Sequence, residues 1–202
     1  MRFTRFTFFF IAVLSLTGCV SAIQTKNVRN YTLMGMQAQA VGNWDLARRA
    51  YARAVVNAEL AKLPPAVRSV LTYEYGRALG VTCFFELSES ELNLAYKLDK
   101  EAGNPLYLSL VELARLSLDQ NKYHEAVGYF AKAIVEFDKE DFAANAPIGY
   151  ADVLAEYAAS LSAIDKKSEA SSIMHKAAEI RAANPQGRSI TDRTPYGKFC
   201  TA

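Results

Sequence analysis

One side-chain pattern occurs twice in this chain and restricts its fold more than any other feature. In residues 42–55, aromatic and small side chains alternate at Trp44, Ala47, Tyr51 and Ala54. The same order and spacing return in residues 121–134, at Tyr123, Ala126, Phe130 and Ala133. Intervals of three and four residues place all four side chains on one face of an α-helix. The small residues on that face let a second helix approach closely, so the pattern predicts closely packed helix pairs.

This pattern resembles the second helix of a tetratricopeptide repeat. The resemblance implies an all-α fold in which about four helical hairpins, within residues 28–183, stack as a short right-handed solenoid. The matching small residues of the four units are Ala47, Ser88, Ala126 and Ala170. They lie 41, 38 and 44 residues apart, whereas a standard repeat has about 34 residues, so we expect linkers between the units. The alternative is an antiparallel helical bundle with alanine-rich seams.

The first 18 residues have the layout of a secretory signal peptide. Arg2 and Arg5 precede an apolar run that is too short to span a bilayer as a stable anchor. The sequence LTGC, which ends at Cys19, resembles a bacterial lipobox. This resemblance implies cleavage before Cys19, lipidation of that cysteine and, with Val20 next to it, attachment to the outer membrane facing the periplasm. An ordinary signal peptide that happens to contain a cysteine is the alternative.

The charge of the chain changes when the signal peptide is removed. Loss of Arg2 and Arg5 lowers the number of Lys and Arg residues from 23 to 21, which equals the number of Asp and Glu residues. A neutral chain without a basic stripe predicts no nucleic-acid binding. No second apolar segment is long enough to span a membrane, so we expect attachment through the lipid alone.

Two segments flank the predicted repeats. Residues 19–27 are predicted to be a lipid-anchored tether. Residues 184–202 are predicted to be a non-helical tail, because Pro185 and Gly187 end the last helix. The aromatic and cysteine residues of this tail favour a segment that folds back onto the repeats, and a disordered tail is the alternative.

The three cysteines are an odd number for an exported protein. If Cys19 carries lipid, Cys83 and Cys200 remain as a pair in an oxidising compartment, and we expect a disulfide between them. Cys83 lies in a predicted turn between helices, where a thiol is accessible. The alternative is a buried Cys83 and a free Cys200.

The sequence contains no recognisable catalytic constellation. Its two histidines, His124 and His175, have no cysteine, histidine or carboxylate at metal-ligand spacing on the same helix face. Neither a glycine-rich phosphate loop nor a nucleophile elbow is present. We therefore expect no enzyme, no metal and no cofactor. A helical hydrolase with a catalytic glutamate in a cleft is the alternative.

In tetratricopeptide repeats, the first helix of each unit lines a concave face. The resemblance therefore implies five groove residues, which are Met36, Tyr73, Arg77, Arg115 and Asp119. Arg77 and Arg115 occupy the same place in successive units, and guanidinium groups suit the carboxylates of a peptide. Alternatively, both arginines pair with acids such as Glu74 and Glu112 and bind nothing.

The lipobox and the repeats together predict a non-catalytic lipoprotein scaffold. Its concave surface would bind a peptide or protein partner of the cell envelope. A structural subunit that associates with itself through the repeats is the alternative, and mass measurement on the protein without lipid distinguishes the two.

Overall fold

A computed structural model describes residues 4–189 and 193–200, with side chains described from residue 22 onwards. All regular structure in these residues is helical. The helices, in chain order, are α1 (Thr4–Ala40), α2 (Trp44–Leu60), α3 (Pro65–Val81), α4 (Phe85–Ala102), α5 (Tyr107–Asp119), α6 (Tyr123–Lys139), α7 (Phe142–Asn145), α8 (Pro147–Ala163) and α9 (Lys167–Ala183). The predicted all-α fold is confirmed.

Eight of these helices form four hairpins, α1–α2, α3–α4, α5–α6 and α8–α9. The hairpins stack in chain order, because α2 packs on α3, α4 packs on α5, and α6 packs on α8. The single-turn α7 lies between the third and fourth hairpins. Second helices of 17 or 18 residues account for part of the wide spacing between the repeats.

The predicted small residues lie at the seams between paired helices. Ala47, Ser88 and Ala126 are fully buried, and Ala170 is 8% exposed. Ser88 replaces the usual alanine, and its hydroxyl donates a hydrogen bond to the carbonyl of Gly76 at 2.7 Å, so no polar atom is left unsatisfied there. Close backbone approach at this seam is therefore achieved without the loss of a hydrogen bond.

Each hairpin turn contains one residue with a left-handed backbone conformation. These residues are Gly42, Cys83, Asn121 and Asp165, with φ angles of 73°, 74°, 59° and 61°. Glycine, asparagine and aspartate enter this region most easily. Cysteine does so less readily, so the second turn contains an unusual residue at a position that the fold constrains strongly.

The predicted tether does not form a separate segment. Residues 19–27 continue α1 as helix, because they contain no glycine or proline that would interrupt it. The side chain of Cys19, the predicted lipidation site, lies outside the described side chains. Among the described residues, no helix is long and apolar enough to cross a membrane.

Replacing Ala126 by leucine is expected to reduce the free energy of unfolding by about 1–3 kcal/mol, because its site on α6 has no room for a larger side chain. Thermal unfolding measures the effect. The control is Gly128→Ala, two residues further along α6, where an added Cβ meets nothing within 4 Å. That change should leave stability equal or raise it by up to about 1 kcal/mol. Equal melting temperatures for Ala126→Leu and the wild type would contradict the placement of Ala126 at a tightly packed seam between helices.

Candidate functional site

A cavity of about 500 Å³ opens on the face that the first helices of the hairpins form. Aromatic side chains supply much of its wall, and they are Trp44, Tyr73, Tyr107, Phe137 and Phe142. Leu108 and Val111 of α5 add aliphatic surface between them. A cavity of this size, with aromatic walls and a few fixed polar groups, suits the side chains of a bound segment.

The far wall of the cavity depends on the short helix α7. This helix places the ring of Phe142 at 4.7 Å from that of Tyr107 and at 4.4 Å from that of Phe137, measured between centroids. Tyr107 and Phe137 are themselves 5.1 Å apart. Three mutually packed rings form a continuous aromatic surface on this wall.

Seven charged side chains of alternating sign form a connected network beside the cavity. In order along the network they are Glu74, Arg77, Glu112, Arg115, Glu156, Arg193 and Asp119. Arg77 Nη1 lies 2.9 Å from Glu74 Oε2, and its Nε lies 3.7 Å from Glu112 Oε2. Arg115 Nη1 lies 3.1 Å from Glu112 Oε1, and its Nε lies 2.8 Å from Glu156 Oε2. The network fixes both guanidinium groups at the cavity wall.

Glu112 is the central carboxylate of this network, and its side chain is only 4% exposed. Burial alone would raise its pKa. The neighbouring Arg77 and Arg115, together with hydrogen bonds from Thr194 and Tyr196, outweigh burial and hold the pKa of Glu112 below its ordinary value. Glu112 is therefore a buried anion whose partners come from α3, α5 and the tail.

The tail returns to the repeats and completes the network. The Tyr196 hydroxyl donates to Glu112 Oε2 at 2.7 Å, and Arg77 Nε donates to the Thr194 hydroxyl oxygen at 2.9 Å. Both tail residues are buried, at 6% and 1% exposure. The ring of Tyr196 lies against Gly80, where an added Cβ would be 2.5 Å from it. Only glycine at position 80 leaves room for this ring.

Arg193 and the disulfide hold the tail at two further points. Arg193 binds Asp119 through two nitrogens, at 2.6 and 2.9 Å, and Glu156 at 2.8 Å. Cys200 forms a disulfide with Cys83, which lies in the turn between α3 and α4. The tail is thus attached covalently to the second hairpin and by charge to the third and fourth.

The five predicted groove residues lie in different places. Tyr73, Arg77 and Arg115 line the same cavity, and both arginines pair with the buried Glu112. Asp119 ends α5 and binds Arg193. Met36 is 56% exposed and lies outside the cavity lining, because α1 contributes Gln39 and Ala40 instead, about one helical turn further on.

The pairing of Arg77 and Arg115 with Glu74 and Glu112, given as the alternative from the sequence, is present in the structure, whereas Arg193 was not predicted as part of the site. Glu74 with Arg77, and Glu112 with Arg115, repeat the motif Glu-x-x-Arg at matching positions of α3 and α5. That repetition is a signal for an ion-pair network. No local signal marks Arg193, because its partners are 37 and 74 residues away in the chain.

Within the residues that the structure describes, no group of three or more His, Cys, Asp or Glu side chains is placed to hold a metal ion. The acidic side chains of the site bind arginines instead. The arrangement presents fixed polar groups and aromatic surface to the cavity.

No family model matches the chain, and no curated protein matches it significantly. Solved structures do match the chain. One is a Podosopora anserina protein designated a kinesin light chain with nearly identical tetratricopeptide-like repeats, at 18% identity and a TM-score of 0.62, with 86% of this chain and 87% of that chain covered. A variant of that protein gives 17% identity, the same coverage and a TM-score of 0.63. The fold is a stack of tetratricopeptide-like repeats. Identities this low establish the tetratricopeptide-like fold alone.

Proposed function

We propose that this chain is a non-catalytic lipoprotein of the outer membrane, anchored by lipid on Cys19 and facing the periplasm. Its tetratricopeptide-like repeats act as a protein-protein interaction scaffold, and the concave surface holds an extended segment of another envelope protein. The lipobox supports the anchor. The observation that carries the binding role is the preformed cavity, with aromatic rings on its walls and two fixed guanidinium groups.

Arg77 and Arg115 retain hydrogen-bonding capacity for a partner. Each uses Nε and Nη1 for its contacts, and in the described part of the chain the Nη2 group of neither has a hydrogen-bond partner. Both side chains line the cavity. Two such amino groups suit an oxygen acceptor, and a carboxylate of the partner segment gains the most from them.

A crosslinking experiment in the cell envelope tests the scaffold. A benzophenone side chain replaces Leu108, which lines the cavity and is 47% exposed. The matched control carries the same side chain in place of Leu87, which is 54% exposed on α4 and lies outside the lining. After illumination, position 108 should give a discrete crosslinked product with another envelope protein that position 87 does not give.

The mass of the crosslinked product distinguishes the competing functions. A product with twice the mass of this chain would favour the self-associating subunit instead. Equal crosslinking at positions 108 and 87 would show that the partner does not bind specifically at the cavity. A partner captured only at position 108 supports it, and Leu108→Glu should then reduce the affinity for that isolated partner about tenfold or more, whereas Leu87→Glu should not.

The lipid anchor has its own test. Cys19→Ala is expected to abolish incorporation of labelled palmitate and to leave the chain uncleaved or soluble, because the transferred lipid needs the cysteine sulfur. Cell fractionation and labelling measure both results. Cys200→Ala, which removes a cysteine far from the lipobox, should incorporate label as the wild type does. Unchanged incorporation in Cys19→Ala would exclude lipidation at this residue.

A further inference from the structure

Charge is unevenly distributed along the chain that follows the signal peptide. Residues 22–68, which cover the first hairpin from residue 22 onwards and the start of α3, contain seven Lys or Arg and two Asp or Glu, a formal charge of +5. Residues 69–202 contain 14 Lys or Arg and 19 Asp or Glu, a formal charge of −5. The overall neutrality therefore conceals a basic part and an acidic part, and the basic part adjoins Cys19.

An apolar surface between α1 and α3 is exposed at the end of the basic part. Leu33, Val67 and Val70 are 47%, 41% and 57% exposed, and they line a shallow, almost wholly apolar depression with Arg29 at its edge. No described residue covers these side chains. Apolar residues with cations beside them are typical of surfaces that contact the interface of a membrane.

The register of α1 connects this surface to the lipidation site. Seven residues, about two helical turns, separate position 19 from Lys26 and Lys26 from Leu33. These three positions therefore share one face of α1. Ile23, 59% exposed, lies on the same face. No glycine or proline interrupts the helix from position 19 to position 33. Lys26 and Arg29 are exposed, and neither makes an ion pair with another described residue.

We infer that α1 and the first turns of α3 dock on the anionic surface of the membrane that holds the lipid, an inference that rests on the proposed lipidation of Cys19. Lys26 and Arg29 approach phospholipid phosphates, while Leu33, Val67 and Val70 contact the boundary of the acyl chains. The acidic part then points away from the membrane.

Vesicle co-sedimentation tests the docking surface without the lipid. The protein begins at residue 20, and it retains the fold because all the described core clusters begin at or after Val28. It is mixed with vesicles of phosphatidylethanolamine and phosphatidylglycerol, or of phosphatidylcholine alone. We expect binding to the anionic vesicles that weakens as salt is raised.

Two matched pairs of variants locate the surface. Lys26→Glu with Arg29→Glu should reduce binding to the anionic vesicles about tenfold or more. Lys97→Glu with Lys100→Glu reverses two exposed cations at the same spacing on α4 and should bind like the wild type. Val70→Ser should weaken binding, whereas Val135→Ser, at 56% exposure on α6, should not.

Several outcomes would overturn the inference. The first is no binding to anionic vesicles, and the second is equal binding by the two charge-reversal pairs. The third is a dimer in solution that Lys26→Glu with Arg29→Glu disrupts, because that result would assign the surface to a second copy of the chain. Loss of the lipid anchor is separate, because palmitate labelling of Cys19 can fail while the lipid-free protein still binds vesicles. The two proposals are therefore tested independently.

Discussion

Replacing Cys83 and Cys200 together by serine is expected to lower the free energy of unfolding by about 4–5 kcal/mol, on the chain-entropy account of disulfides. The bond joins residues 117 positions apart, so it removes much of the freedom of the unfolded chain. For a protein of this size the melting temperature should fall by about 10 °C or more. Thermal unfolding of the oxidised wild type and of the double variant measures the difference.

Reduction provides the control for this prediction. Adding a dithiol reductant to the wild type should lower its melting temperature to nearly that of the double variant. The melting temperature of the double variant itself should not change when the reductant is added. The lipid-free form, which starts at residue 20, is suitable because Cys83 and Cys200 are its only cysteines. A wild type that is insensitive to complete reduction, verified by thiol titration, would show that the disulfide contributes nothing to stability.

Glu112→Gln is expected to cost about 3–5 kcal/mol at neutral pH, because it removes the buried carboxylate between two guanidinium groups. Glutamine keeps the shape of the side chain, so the loss reports the charge rather than a cavity. Glu125→Gln, at an exposed position of α6, is the control and should change stability by less than about 0.5 kcal/mol. Denaturant unfolding of the three proteins gives the comparison.

The stability difference between wild type and Glu112→Gln should depend on pH. The folded-state pKa of Glu112 is lowered from its ordinary value of 4.5, so the stabilisation is fully present above pH 4.5. It is lost as the pH falls through the folded-state pKa, because the carboxylate of the wild type then binds a proton and becomes neutral like the amide of the variant. The prediction is contradicted if the difference in free energy of unfolding between wild type and Glu112→Gln stays constant as the pH falls into strong acid. That result would mean that the charge on Glu112 does not cause the stabilisation.

The hairpins could be predicted from the sequence because their signals are local. Intervals of three and four residues define each packing face, and Pro65 stands at the first turn of α3, where proline is tolerated. The apolar seams at Ala47 and Ala126 then follow from the same spacing. Stacking of the hairpins in chain order needs only short connections, so it also follows from the sequence.

The cavity was harder to predict because its parts come from distant segments. The region that contains Phe142 resembles a charged linker in sequence, yet it folds into the turn of helix that supports Tyr107. Arg193 acts through partners on α5 and α8, which only the folded chain brings together. Side chains that meet across such separations leave no periodic pattern. The sequence could therefore predict the inner face, the return of the tail to the repeats and its disulfide, but not the aromatic wall or the contacts of Arg193.

The link between Cys200 and Cys83 also determines how the protein would carry mechanical load. If the molecule were pulled between Cys19 and residue 200, tension would pass through the first hairpin and α3 and then cross the disulfide directly. The third and fourth hairpins lie inside the covalent loop and would bear none of it. In an open array of repeats each unit lies on the path of the force, and units can separate one after another. Here the half of the molecule that supports most of the cavity would stay folded under tension while the bond remains intact.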